Sequence, residues 1–232
     1  MNEQELSQRL ARVGSHVPQD ARLADIGSDH AYLPVALMLK NKITFAVAGE
    51  VVKGPFQSAE KQVRKSGLTD QIVVRLADGL DAIEETDRIN AITIAGMGGT
   101  LIRSILEAGK QHGRINGSER LILQPNVGEK TLREWLVENE YTIIEEEILA
   151  ENKKIYEIIV AEKQEPVSYS DRELFFGPHL LKEKNDVFIQ KWQREIAGKE
   201  RVLAQLEKAE EKPLEKVTEI QTQLAWIKEV LA

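Results

Sequence analysis

The chain contains no cysteine. That excludes a disulfide scaffold, a thiolate zinc site, an iron–sulfur cluster and a cysteine nucleophile. Histidine is scarce: His16, His30, His112 and His179 are the four, and none forms an HxH or HxxxH pair. No metal site is therefore expected. Aromatic residues make up 5% of the chain, and the three tryptophans, Trp135, Trp192 and Trp226, fall at helical core spacing, where they read as packing. No apolar run approaches the ~18 residues of a membrane-spanning helix. The amino-terminal MNEQELSQRLARVG lacks the basic region and apolar core of a secretory signal. These absences point to a cytoplasmic protein without a membrane partner.

What is present is an ordinary folded composition. The 232 residues are 42% hydrophobic and 30% charged, with 31 Lys+Arg against 38 Asp+Glu and a net charge of −7. The acidic balance disfavours nucleic acid binding by net charge, but binding by a local basic patch remains open.

Hydrophobic periodicity organises the chain. Leu6, Leu10 and Val13 predict a helix over 2–14, with Gly14 as its C-terminal stop and Arg9 and Arg12 on the other face. Short apolar strands are expected at 22–26, 43–49, 72–76, 91–95 and 120–123, alternating with helices at 31–40, 54–67, 100–108 and 128–139. Such alternation implies a parallel sheet covered on both faces. The rhythm breaks after 140, where two β-rich stretches, 141–149 and 155–161, are joined by a short polar link and form a hairpin. From about residue 168 the chain turns helical. Helices over 180–212 and 214–231, broken at Lys212-Pro213, carry apolar residues every three to four positions, with Lys199 interrupting the first stripe. The reading is an α/β fold: a Rossmann-like sheet with a terminal antiparallel hairpin over 1–167, then an antiparallel helical coiled-coil hairpin over 168–232. The seam can be satisfied within one chain, which favours a monomer.

The polar residues gather at strand ends. Leu23-Ala-Asp-Ile-Gly-Ser-Asp-His-Ala31 turns sharply at Gly27, where the backbone can approach a ligand closely. Asp25 precedes the turn and could accept from a cationic amine. A dinucleotide motif would place glycines at 29 and 32, where this chain has Asp29 and Tyr32. A pyrophosphate would meet a carboxylate there, whereas a ligand bearing an ammonium and a sulfonium is tolerated. Glu50 ends the second strand, where an acid can hold a ribose diol. Asp78-Gly79 ends the third, where a carboxylate can accept from an adenine amino group. Gly96-Met97-Gly98-Gly99 follows the fourth strand, and Gln124-Pro125-Asn126 the fifth, where amides could reach a base edge. Tyr32 could stack on a base or line the pocket. Each feature alone also reads as a plain turn or a solvated acid, but three strand-end acids around one glycine turn mark a single ligand site. From the residues alone, a nicotinamide oxidoreductase, a methyltransferase of small molecules or proteins, and a non-catalytic scaffold with a relic fold stand as alternatives.

The segments LADIGSDHAYLP, AGEVVKGP, RLADGL, IAGMGG and LILQPN, followed by a helical hairpin, resemble the class I S-adenosylmethionine-dependent methyltransferases. More closely they resemble the bacterial tRNA adenine N1-methyltransferases, which act on the adenine at tRNA position 22. The resemblance runs over essentially the whole chain. It implies an enzyme with S-adenosyl-L-methionine as cofactor and tRNA as partner. It implies Asp25, Gly27, Ser28, Glu50, Asp78, Gly79, Gly96, Met97 and Gly98 as cofactor-binding residues. It places Asp29 and His30 near the methyl donor and Gln124, Pro125 and Asn126 on the target-base side, with Asp29, His30 and Asn126 as the candidate catalytic residues. The residues themselves add Tyr32 as a further substrate-side candidate, and the Arg9/Arg12 helix and the helical hairpin as candidates for gripping the tRNA backbone. Asp29 would serve either as an electrostatic stabiliser or as a general base. The glycine-rich motif usual in class I enzymes is reduced here to Gly27, and there is no NPPY or DPPY tetrapeptide, which favours a ring nitrogen over an exocyclic amine as nucleophile.

Overall fold

The computed structural model describes residues 6–206, 208 and 213–232, which divide into two compact units, Met1–Pro178 and His179–Ala232. Among the described residues the first unit carries a seven-stranded sheet. Its strands are β1 (Ala21–Ile26), β2 (Ile43–Glu50), β3 (Ile72–Leu76), β4 (Ala91–Gly98), β5 (Arg120–Val127), β6 (Tyr141–Glu151) and β7 (Lys154–Lys163). The order is β3-β2-β1-β4-β5-β7-β6; β3 to β5 are parallel, and β7 is antiparallel to both β5 and β6. This is the Rossmann-like sheet with the terminal antiparallel hairpin. The helices of this unit are α1 (Gln8–Ser15), α2 (Tyr32–Leu39), α3 (Lys53–Lys65), α4 (Gly99–Gln111), α5 (Glu129–Glu138) and α6 (Asp171–Phe176).

Strand alternation builds two cores. On β1, Leu23 faces one apolar layer with Val13, Leu33 and Leu37, while Ala24 and Ile26 face the other with Ile102, Leu106 and Leu136. Covered on both faces, β1 and β4 must be apolar along their length, which is why Asp25 and Thr93 stand out in them.

Several elements differ from expectation for identifiable reasons. The helix expected over 2–14 is α1, opened by the Ser7 side chain accepting from the Leu10 amide; residues 1–5 lie outside the described part. Gly14 does not stop it but lies inside it, buried. A Cβ there would meet Leu33 Cδ1 at 3.0 Å, so the glycine permits close approach of α2. The fourth and fifth strands run on to Gly98 and Val127, because their glycine and amide segments stay paired to each other across a register shift. The hairpin link contracts to Asn152-Lys153, both at positive φ (52° and 66°). That is the twist a two-residue turn between antiparallel strands requires.

The expected division between 167 and 168 lies ahead of α6, which packs with α5 in the first unit. In the second unit the helix expected from 180 is broken. A short α7 (Leu180–Glu183) ends at Lys184, which has φ of 48°. The Asn185 side chain then caps α8 (Asp186–Leu206) by accepting from the Phe188 amide at 3.0 Å, as short polar side chains do at helix starts. Its expected end at 212 lies outside the described residues. α9 (Leu214–Leu231) packs on α8. Lys199, which interrupts the stripe, donates to Gln223 Oε1 of α9 at 2.7 Å. Trp135 and Trp192 are buried as packing residues, and Trp226 is half-buried. No helix among the described residues is long and apolar enough to cross a membrane.

Candidate active site

The carboxyl ends of β1 to β5 lie along one edge of the sheet. The chain leaves β1 toward β2 on one side and returns to β4 on the other, so a crevice opens between the β1 and β4 ends. A cavity of about 240 Å³ occupies this crevice, lined by Arg9, Asp25, Gly27, Ser28, Asp29, Gly96 and Met97 among others. Residues distant in sequence are thus brought together where topology places a ligand.

Backbone shape comes first. Gly27 has φ of 70°, and a Cβ on it would meet Met97 Cε at 2.2 Å. The positive φ is what favours glycine there, since a larger residue would be strained in that conformation, whereas the Met97 methyl could shift aside. Asp29, His30 and Ala31 follow at φ of 38°, 64° and 54°, three consecutive non-glycine residues in the left-handed region. Such residues cost of order 1–3 kcal/mol each and persist only when their surroundings impose them. At Asp29 the backbone is held by the Glu50 carboxylate, which accepts from the Asp29 amide at 2.5 Å. On the adjoining side the Ala77 amide donates to the Glu50 carbonyl at 2.8 Å and ties in the end of β3. Asp78 is exposed there, beside Gly79.

Asp25 is 4% exposed, and each of its oxygens accepts from a hydroxyl: Oδ2 from Ser28 and Oδ1 from Thr93, both at 2.6 Å. Thr93 is the direct β4 neighbour of Asp25 in the sheet register. Burial pushes the Asp25 carboxyl above its ordinary range, and the two hydroxyls pull it only part of the way back. Burial likewise raises Glu50, which is 6% exposed, against the opposing hydrogen bond from the Asp29 amide. Thr93 was not singled out from sequence; its signal was a lone polar residue within the apolar AITIAG.

The substrate-side residues are arranged differently from the expectation. Gln124 is fully buried. Its Oε1 accepts from Arg9 Nη1 and, at 3.0 Å, from the Gly96 amide, while its Nε2 donates to the Pro125 carbonyl at 2.7 Å. The amide expected to reach a base edge is therefore occupied internally, holding Arg9, and Pro125 is buried beside it. Asn126 is exposed, and its Nδ2 donates to the Gly96 carbonyl at 2.7 Å. Gly96, with φ of 80°, is thus clamped through both backbone polar groups.

Arg9 and Arg12 share α1 but not a role in the fold. Arg9 turns into the cavity wall, with its guanidinium carbon 5.4 Å from the centre of the Tyr156 ring. Arg12 pairs with Glu147 of β6 at 2.5 Å while remaining half exposed. His16 joins the same strand through Glu147 at 2.9 Å and Glu145 at 3.2 Å. The Glu151 carboxylate accepts from the Gln8 amide at 2.6 Å and the Arg9 amide at 3.3 Å. It is a negative group at a helix N-terminus, where it is favoured. The hairpin thus pins α1 against the crevice. Asp29 is 72% exposed and His30 43%, with His30 Nε2 3.5 Å from Asp29 and its ring stacked on Tyr32 at 5.2 Å. No group of three or more His, Asp or Glu among the described residues is arranged to hold a metal.

Comparison with known proteins places the chain in a family. The family model described as tRNA (adenine(22)-N(1))-methyltransferase matches residues 23–229. A Bacillus subtilis (strain 168) protein described as tRNA (adenine(22)-N(1))-methyltransferase is 45% identical, over 100% of this chain and 99% of its own. The crystal structure of the B. subtilis M1A22 tRNA methyltransferase superposes with a TM-score of 0.92, covering 99% of this chain and 100% of that one at 44% identity. A Streptococcus pneumoniae protein solved in complex with S-adenosyl-L-methionine superposes with a TM-score of 0.89, covering 98% of this chain and 100% of that one at 47% identity. With the family model spanning nearly the whole sequence and the B. subtilis chain aligned end to end, this chain belongs to the tRNA (adenine(22)-N(1))-methyltransferase family.

Proposed function

We propose that the chain transfers the methyl group of S-adenosyl-L-methionine to N1 of the adenine at position 22 of tRNA. The match over the whole chain to a family of that activity carries this reading. The crevice suits the cofactor on independent chemical grounds. Asp25 and Glu50 are buried carboxylates whose hydrogen bonds come from hydroxyls and an amide, so the site favours a cationic ligand. When bound, the cofactor supplies an electrophilic methyl group on a positively charged sulfur.

The protein's part is to hold and orient. Asp25, Gly27, Ser28, Gly96, Met97 and Gly98 form the bed for the cofactor's amino acid end. Glu50 receives its ribose hydroxyls, and Asp78 and Gly79 its adenine. Asp29, His30 and Asn126 stand at the reacting edge. Adenine N1 has a free lone pair at neutral pH, so attack on the methyl carbon needs no prior deprotonation, and alignment supplies much of the rate. The ring becomes cationic as it is methylated. The Asp29 carboxylate balances that charge, which is the role the chemistry asks of it. His30, stacked on Tyr32, steadies that carboxylate. N1 is engaged in paired RNA, so the target base must be unpaired or extruded. Arg12 and the α8–α9 pair, read as a coiled-coil hairpin, contact the RNA backbone, while Gln124 and Pro125 act on the substrate through Arg9. The protein works as a cytoplasmic monomer without metal.

The test incubates the protein with labelled S-adenosylmethionine and unmodified bacterial tRNA, then identifies the modified nucleoside by mass spectrometry. N1-methyladenosine at position 22 is expected, with a rate lower by roughly tenfold or more in Asp29→Ala. Cofactor binding without transfer to any tRNA would refute the assignment of substrate.

A further inference from the structure

A second cavity, of about 500 Å³, adjoins the crevice and shares Arg9 and Gly96 with it. Its remaining wall includes Asn126 and Val127 from the end of β5 and Lys154 and Tyr156 from the start of β7. Its size lies within the range of small-molecule sites. Its chemistry is that of a nucleotide site. Tyr156 offers a half-buried ring face and Val127, 67% exposed, an apolar contact. Arg9 and the exposed Lys154 supply positive charge in an acidic protein. The Tyr156 face is not bare: the Arg9 guanidinium lies over it, held there by the buried Gln124. A guanidinium is planar and stacks on aromatic faces much as a base does.

We propose that this cavity receives the nucleotide to be methylated, with the extruded base stacking on the platform that the Tyr156 ring and the Arg9 guanidinium lying over it make together, and with Lys154 as a contact to its flanking phosphate. The inference rests on the function proposed above and deepens it. Three features support it. The cavity and the crevice share Gly96 in their walls, and both backbone polar groups of Gly96 are bonded, its amide to Gln124 and its carbonyl to Asn126, so the wall between them is held in place. The hairpin that carries Tyr156 and Lys154 also fixes α1 through Glu151, which holds Arg9 and Tyr156 in one frame. Stacking does not depend on base edge pattern, so it suits holding a base whose N1 must stay free.

The experiment measures kcat/KM for tRNA in Tyr156→Ala, Tyr156→Leu and Tyr156→Phe, with cofactor affinity by calorimetry and thermal midpoint for each. Leucine keeps apolar volume without a π-face, which retains a test if alanine unfolds the protein. The expected result is a loss of roughly 5- to 150-fold in kcat/KM for the alanine and leucine variants, the range found for base–aromatic stacking. Phenylalanine should recover most of that loss, with cofactor affinity unchanged throughout. Lys154→Ala should lower the salt dependence of tRNA binding by about one unit of slope. Wild-type kcat/KM in Tyr156→Leu would overturn the proposal, and so would equal losses in the leucine and phenylalanine variants. A wild-type protein that binds cofactor but methylates no tRNA would instead remove the underlying function, and this inference with it.

Discussion

Glu146 and Glu157 lie on β6 and β7, no more than 1% exposed at their side chains, and both meet Arg133 of α5, itself fully buried, at 2.7 and 2.5 Å. Asp25 and Glu50 lie on β1 and β2 of the same sheet, nearly as deep, yet they meet hydroxyls and an amide. Burial alone would lower the Arg133 pKa, but the charges of Glu146 and Glu157 more than reverse that and keep the guanidinium protonated. At Asp25 and Glu50 burial wins, and both carboxyls are pushed up. The difference separates two uses of buried charge. Around Arg133 the counter-charge is part of the fold and joins α5 to the hairpin. At the crevice the fold supplies no counter-charge, only hydroxyls and an amide, which is the arrangement the proposed cationic cofactor would complete.

The comparison breaks most visibly at Arg133. Arg133→Met should lower stability by about 3–5 kcal/mol in urea unfolding, because two buried carboxylates lose their guanidinium. Asp25→Asn should do the opposite kind of damage. Cofactor affinity by calorimetry should fall by roughly 10- to 150-fold, the loss expected for a hydrogen bond to a charged group, while the thermal midpoint of the free protein holds or rises. A drop in midpoint with full affinity would show that Asp25 belongs with the structural set.

The pH response sharpens the contrast. A carboxyl raised in the folded state binds its proton more tightly there, so the stability contributed by Asp25 and Glu50 grows as pH falls through their raised values and is lost as pH rises. Cofactor affinity should run the other way, weakening over the same interval as the carboxylates are neutralised, and Asp25→Asn should flatten both curves. Asp87 provides the internal control. Burial would raise it, but hydrogen bonds from Arg75 and the Glu84 amide hold it below its ordinary range. Its contribution is present above that range and lost as pH falls through the depressed value. The smallest effect belongs to Arg12→Ala, which removes a pair with Glu147 whose arginine end is half exposed. It should change stability by less than about 1 kcal/mol.

Much of the fold, and the placing of acidic residues at strand ends, is legible in the sequence. The alternation of apolar strands with helices, the turn at Gly27 and the acids at 25, 50 and 78 are local properties, because side-chain period and the need for a positive φ act within a few residues. The hairpin after residue 140 was visible for the same reason, and it distinguishes this sheet from an all-parallel one. Helix ends were less legible: Gly14 looked like a stop, since sequence shows that a residue is small but not that α2 passes beside it.

Partnerships between distant residues needed the tertiary structure. Arg9 finds Gln124 across 115 positions, and Glu151 finds the start of α1 across 143. Thr93 meets Asp25 only because β4 pairs with β1 in that register. Tyr156 gave no signal of its own, since a tyrosine in a strand reads as ordinary packing. Local periodicity can say which residues face a core or end a strand. It cannot say which of them meet, because sheet order and register are set by how the apolar faces of the whole domain are buried together.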